Sequence, residues 1–91
     1  MNNYNGWANY ETWRVNLEIF DNTTLEHLGY DLTPSLDSLA DHLCSIAEEA
    51  IESNSQAGFA REYALAFLSD VNWLQIAERL IEDSEEDQEA A

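Results

Sequence analysis

Between Pro34 and Ser53 the sequence divides into two faces at the period of an α-helix. At about 100° per residue, Leu36, Leu39, Leu43, Ile46, Ala47 and Ala50 fall on one side, while Asp37, Asp41, Glu48 and Glu52 fall within a band roughly 60° wide on the other. Glu49 borders that band. A helix of this kind hides one stripe against a partner and leaves the other wet, so the rest of the chain must supply apolar surfaces to cover it. Thr33 and Pro34 predict the start, with a capping hydroxyl ahead of a proline at the first helical position.

The remainder supplies such surfaces in helical form. Asn9 is a cap for a first helix from Tyr10 to about Phe20, with Trp13, Leu17 and Phe20 as the core stripe, Val15 and Ile19 widening it, and Arg14 within reach of Glu18 one turn on. Asp21 to Thr24 breaks the pattern, Leu25 to Leu28 predicts one short helical turn, and Gly29 to Thr33 predicts a loop. After a break at Ser53 to Gln56 and Gly58, a third helix is expected from Phe59 to Ser69. It is apolar on nearly all sides in its second half and is therefore expected to be the most buried element. Asn72 with Gln75 three residues later has the form of a capping box, with Val71 and Ile76 placed as a hydrophobic staple. The fourth helix then offers Trp73, Ile76, Ala77, Leu80 and Ile81 to the core. The expected fold is all-α, a compact bundle of about four helices, with a disordered N-terminus over residues 1–8, one helical domain over 9–83 and a frayed acidic tail over 84–91.

Composition excludes several classes of function. Three Arg and no Lys stand against nineteen Asp and Glu, for a formal net charge of -16. Affinity for phosphate backbones comes from cations that displace counterions, so this chain is expected to be repelled by nucleic acid. Three Trp, four Tyr and three Phe in a chain that is 45% hydrophobic are too many for a disordered acidic segment. Apolar runs such as Tyr63 to Leu68 are far shorter than the roughly 20 residues that span a bilayer, and Met1 to Gly6 lacks the pattern of a signal peptide, so a cytoplasmic protein is expected.

Chemistry is not indicated. His27 and His42 are the imidazoles, and Asp41, His42 and Cys44 lie one and two residues apart on a helix, pointing in directions that cannot close a metal site. Cys44 is the single cysteine and is expected to be a packed thiol. Phosphate loops, nucleophile elbows and Cys-x-x-Cys pairs are absent from the sequence. No catalytic residue, metal or cofactor is expected.

Charge leaves one functional expectation, since a surface that repels DNA attracts a DNA-binding protein. Asp37, Asp41, Glu48, Glu49 and Glu52 form one acidic rail, about 22 Å long at about 1.5 Å per residue. Glu78, Glu82, Asp83, Glu85 and Glu86 form a second. Carboxylates so placed can stand where phosphates sit and occupy the basic DNA-binding cleft of a host nuclease or CRISPR complex. Two other readings use the same residues. In one, the charge only solubilises the surface, as in halophilic adaptation. In the other, the protein is a small interaction module that forms a homodimer through exposed aromatics such as Trp7, Tyr4 or Tyr30.

Two motifs add a kinship. Asn9-Tyr10-Glu11-Thr12-Trp13, continuing Arg14-Val15-Asn16-Leu17, and Val71-Asn72-Trp73-Leu74-Gln75-Ile76-Ala77-Glu78 resemble the NYETW and VNWxxIAExLIE blocks of small acidic proteins carried by phages, plasmids and some archaeal elements. The resemblance implies a mobile-element origin and interference with host defence. In acidity and size the chain is also similar in kind to antirestriction DNA mimics of the Ocr type, with which it shares no motif. Most motif positions have helix-core or cap spacing. Glu11 and Thr12 do not, which marks them as candidates for a shared binding surface.

Overall fold

The computed structural model describes residues 6–54 and 56–90, with side chains followed to residue 85 in the last helix. Four helices build an all-α bundle: α1 over Tyr10–Val15, α2 over Leu36–Ser53, α3 over Phe59–Leu68 and α4 over Trp73–Ala90. Helix α1 winds on without a break as a π-helical segment over Asn16–Phe20. The long helices α2 and α4 make the principal packing contact, α3 lies against α2, and α1 bridges α3 and α4. Leu39, Leu43, Ile76 and Leu80 are almost completely buried, with Phe20 closing one side.

The first helix begins as expected and then buries a different face. Asn9 Oδ1 accepts the Thr12 N–H at 2.9 Å, and Arg14 meets Glu18 at 3.6 Å. Thr12, Val15, Asn16 and Phe20 turn inward, whereas Leu17 is 44% exposed and Trp13 only half-buried. Two causes combine. The inward positions carry the polar residues Thr12 and Asn16, which hydrophobic periodicity discounts. The wider π-helical winding over Asn16–Phe20 also departs from the 100° period on which the expected stripe is drawn.

The connection from Asp21 to Ser35 is held by local and tertiary bonds. The turn at Leu25 forms, with Leu28 N–H and Tyr30 N–H both bonded back to carbonyls one turn earlier, and Leu25 is buried beneath it. Tyr30 then reaches α2, its hydroxyl 2.7 Å from His42 Nδ1 with the two rings edge to face. Helix α2 starts at Leu36 rather than Pro34, because the Ser35 hydroxyl accepts the Ser38 N–H and caps two residues later than Thr33 would. A residue before proline is also biased away from helical geometry, which keeps Thr33 in the loop.

Helix α3 departs most from expectation. Only Leu68 of this helix is buried, and Phe59 and Tyr63 are 75% and 66% exposed. An apolar perimeter demands burial only if neighbours surround it, and α3 lies at the side of the bundle with α1 and α2 on one flank. Gly58 precedes it at φ 142° and ψ -161°, a conformation open essentially to glycine alone, so the sharp entry to α3 is specified by that residue.

Asn72 caps α4, its Oδ1 accepting the Gln75 N–H at 3.1 Å, and Val71 and Ile76 are both buried in one cluster, as a staple requires. The capping box is not completed, because the Gln75 side chain turns away from Asn72 to bond residues 6 and 8. Gly6–Ala8 are thereby docked, and the disorder expected over residues 1–8 does not extend to them; residues 1–5 lie outside the described residues. Helix α4 continues past residue 83 through the acidic block to Ala90. No described helix is long and apolar enough to cross a membrane.

Candidate partner-binding surface

On α2 the sequence-predicted rail is present as a surface. Asp37, Asp41, Glu48, Glu49 and Glu52 are all exposed, opposite the buried Leu39, Leu43 and Ala47. Successive i, i+4 carboxylates rise by about 6 Å along the axis. Among the described residues the ion pairs are Arg14 with Glu18 and Arg79 with Asp83, so neither draws on this helix. Arg14 is engaged along α1 and Arg79 with the Phe20 carbonyl at 2.8 Å, whereas Arg61 reaches α2 and donates to the Glu52 carbonyl at 2.8 Å. The α2 carboxylates therefore face solvent, with the Arg61 guanidinium beside the Glu52 end of the row.

The field of this rail reaches the one cysteine. Burial pushes the Cys44 thiol above its ordinary value, and the charges of Glu48 and then Asp41 push it further the same way. A thiol so placed holds its proton at neutral pH and is a poor nucleophile. His42, its neighbour but one, is engaged by the Tyr30 hydroxyl. No group of three ligating side chains converges to hold a metal among the described residues.

The second rail is less uniform. Glu78, Glu82 and Glu85 are exposed on one side of α4, and Glu78 and Glu82 border a shallow concavity of about 430 Å³ with Trp7, Gln75 and Arg79. Asp83 is exposed but paired, its Oδ2 accepting from Arg79 Nη1 at 2.9 Å, which removes it as an unpaired carboxylate. The Glu86 side chain lies outside the described residues.

Thr12 is not part of an open surface. It is fully buried; its Oγ1 accepts the Asn72 N–H at 2.8 Å and donates to Asn9 Oδ1 at 2.5 Å. Asn9 Nδ2 in turn donates to the Asp70 carbonyl at 2.7 Å, while Gln75 Oε1 accepts the Ala8 N–H at 2.7 Å and its Nε2 donates to the Gly6 carbonyl at 3.0 Å. The NYETW and VNW blocks thus clasp one another, and most of their polar residues serve folding. Glu11 stays half-buried, without such a bond among the described residues.

The aromatics expected to mediate self-association are placed differently. Trp7 and Tyr30 pack against the core cluster, and Tyr4 lies outside the described residues. The aromatic surface is formed instead by Phe59 and Tyr63, with ring centroids 4.5 Å apart. Spacing of i, i+4 on α3 was the available signal, and it was obscured by the apolar residues that follow.

The chain belongs to DUF7249, a family of unknown function, which it matches over residues 1–88. No curated protein and no solved structure matches it.

Proposed function

We propose that the protein is an inhibitor that mimics nucleic acid, occupying the basic DNA-binding surface of a host defence complex of the CRISPR-associated or restriction type. The observation that carries this reading is the α2 rail: Asp37, Asp41, Glu48, Glu49 and Glu52, all exposed on one helix opposite its buried stripe. A rigid helix presents these charges at fixed spacing, so little ordering entropy is lost when a basic cleft closes on them. The mobile-element resemblance of the two motif blocks points to the same class of target. Binding of this kind is steered by charge, rapid, and steeply weakened by salt.

Affinity capture of the tagged protein from host lysate at low salt, with elution by salt or by competing duplex DNA, tests the reading. Recovery of a DNA-binding nuclease complex supports it. An affinity for that complex that is unchanged between low and high salt refutes it. The four-fold variant Asp37→Asn, Asp41→Asn, Glu48→Gln, Glu52→Gln must lose inhibition while remaining folded.

A further inference from the structure

Where the α2 rail begins, its first two carboxylates border a cavity. Between α2 and the first turn of α4 lies a concavity of about 490 Å³, lined by Asp37, Ala40 and Asp41 on one side and by Val71, Trp73 and Leu74 on the other. Ala40 and Val71 are buried, Asp37, Asp41 and Leu74 are exposed, and Trp73 is half-buried. The Trp73 indole packs against the core cluster and still contributes to the cavity wall. Two carboxylates about 6 Å apart along the helix axis therefore share a recess with an indole and a leucine, and one guest can meet both kinds of surface.

Charge selects that guest. Among the described residues no basic side chain lines the cavity, and neither Asp37 nor Asp41 has a side-chain hydrogen bond or ion pair. Arg61 sits at the opposite end of α2, on the Glu52 carbonyl. The N-terminus of α4 is a positive element at this cavity, equivalent to about half a unit charge, and two carboxylates exceed it. Asn72 Oδ1 already accepts one of its free N–H groups, that of Gln75.

Shape then selects among cations. A guanidinium is planar and weakly hydrated, stacks on aromatic rings and forks to carboxylate oxygens, whereas an ammonium is compact and strongly hydrated. Arginine is also a residue with which DNA-binding clefts hold phosphate. We propose that this cavity receives the side chain of one partner arginine, its guanidinium held by Asp37 and Asp41 against Trp73 and its aliphatic stem covered by Leu74. The inference rests on the reading of α2 as a nucleic-acid mimic and adds to it a fixed anchor: the first half of the rail recognises one side chain, and the second half supplies charge.

Hexa-arginine and hexa-lysine peptides, equal in charge, test this by titration into the full chain at low salt, followed through the indole N–H resonances of the three tryptophans. Trp73→Phe identifies the Trp73 resonance. Hexa-arginine is expected to bind at least about threefold more tightly than hexa-lysine and to shift the Trp73 resonance most. The variants Asp37→Asn, Asp41→Asn and Glu48→Gln, Glu52→Gln remove equal charge from exposed positions and both weaken binding, but only the first is expected to abolish the preference for arginine. Equal binding of the two peptides to the parent protein would overturn the anchor and leave mimicry by bulk charge standing. A preference that survives Asp37→Asn, Asp41→Asn, or a shift centred on Trp7 or Trp13, would also overturn it. Failure of both peptides to bind at low salt would refute the anchor and the mimicry together.

Discussion

The backbone N–H of Asn72 donates to the hydroxyl of Thr12 across 2.8 Å, joining the first and last helices through positions sixty residues apart. Thr12 is completely buried although Asn72 is exposed, so this bond is partly shielded from water, and the same hydroxyl donates to Asn9 Oδ1. The Asn9 amide bonded to the Asp70 carbonyl and the Gln75 amide bonded to residues 6 and 8 strengthen the same junction.

Replacing Thr12 by Val keeps the shape and removes that oxygen. The partly shielded Asn72 N–H then loses its partner, which costs about 1 kcal/mol. For a domain of this size the melting temperature falls by roughly 4–8 °C per kcal/mol. Thr12→Ser keeps the hydroxyl and loses only a methyl group, so it is expected to be the milder of the two. Urea midpoints at unchanged m-value check this, and equal stability of Thr12→Val and the parent protein would contradict it.

Gln75 holds residues 6 and 8 with both ends of its amide. Gln75→Glu preserves the acceptor for the Ala8 N–H and loses the donor to the Gly6 carbonyl, while Gln75→Ala loses both. Amide exchange at Ala8 is expected to quicken in Gln75→Ala and to stay slow in Gln75→Glu, with a loss of global stability of about 1 kcal/mol or less, as for exposed neutral bonds. Similar exchange at Ala8 in both variants would show that the Trp7 packing alone docks the segment.

The α2 rail places like charges one turn apart at Asp37 and Asp41 and again at Glu48 and Glu52. Each such pair opposes the helix by about 0.2–0.5 kcal/mol at low salt. The fourfold neutral variant is therefore expected to be as stable as the parent or slightly more so, and the difference is expected to vanish as salt rises. The parent protein is expected to remain folded in dilute buffer. Unfolding there, reversed by molar salt, would favour halophilic adaptation over a partner-binding role.

Cys44 reports on the same field. Its thiol is raised by burial and by Glu48 and Asp41, so at neutral pH the reactive thiolate is scarcer than in an exposed cysteine. Alkylation is expected to be slow, and its rate is expected to rise in Glu48→Gln, because one of the charges opposing ionisation is gone. The pH at half-maximal rate moves downward in that variant. An unchanged pH profile would place the rail too far from the thiol to be felt.

Much of the helical layout could be read from local pattern because caps and amphipathic periods act over one or two turns. Asn9, Asn72 and the two faces of α2 behave in the structure as their spacing implies. The candidate site was legible to the same extent: exposure of the α2 carboxylates follows from the burial of Leu39, Leu43 and Ala47 on the opposite side. The pairing of Asp83 with Arg79 was missed, although their i, i+4 spacing carried the signal.

Sequence alone determined the all-α class, the long amphipathic helix and the excess of negative charge, since each depends on residue type and short-range spacing. Only the tertiary structure decided which face of α1 turns inward, why Thr12 is a fastening rather than a contact surface, and that α3 leaves Phe59 and Tyr63 in solvent. Those outcomes depend on which neighbour an element meets. A buried threonine is stabilised by an amide sixty residues away, and an apolar helix at the side of a small bundle has too few partners to cover it.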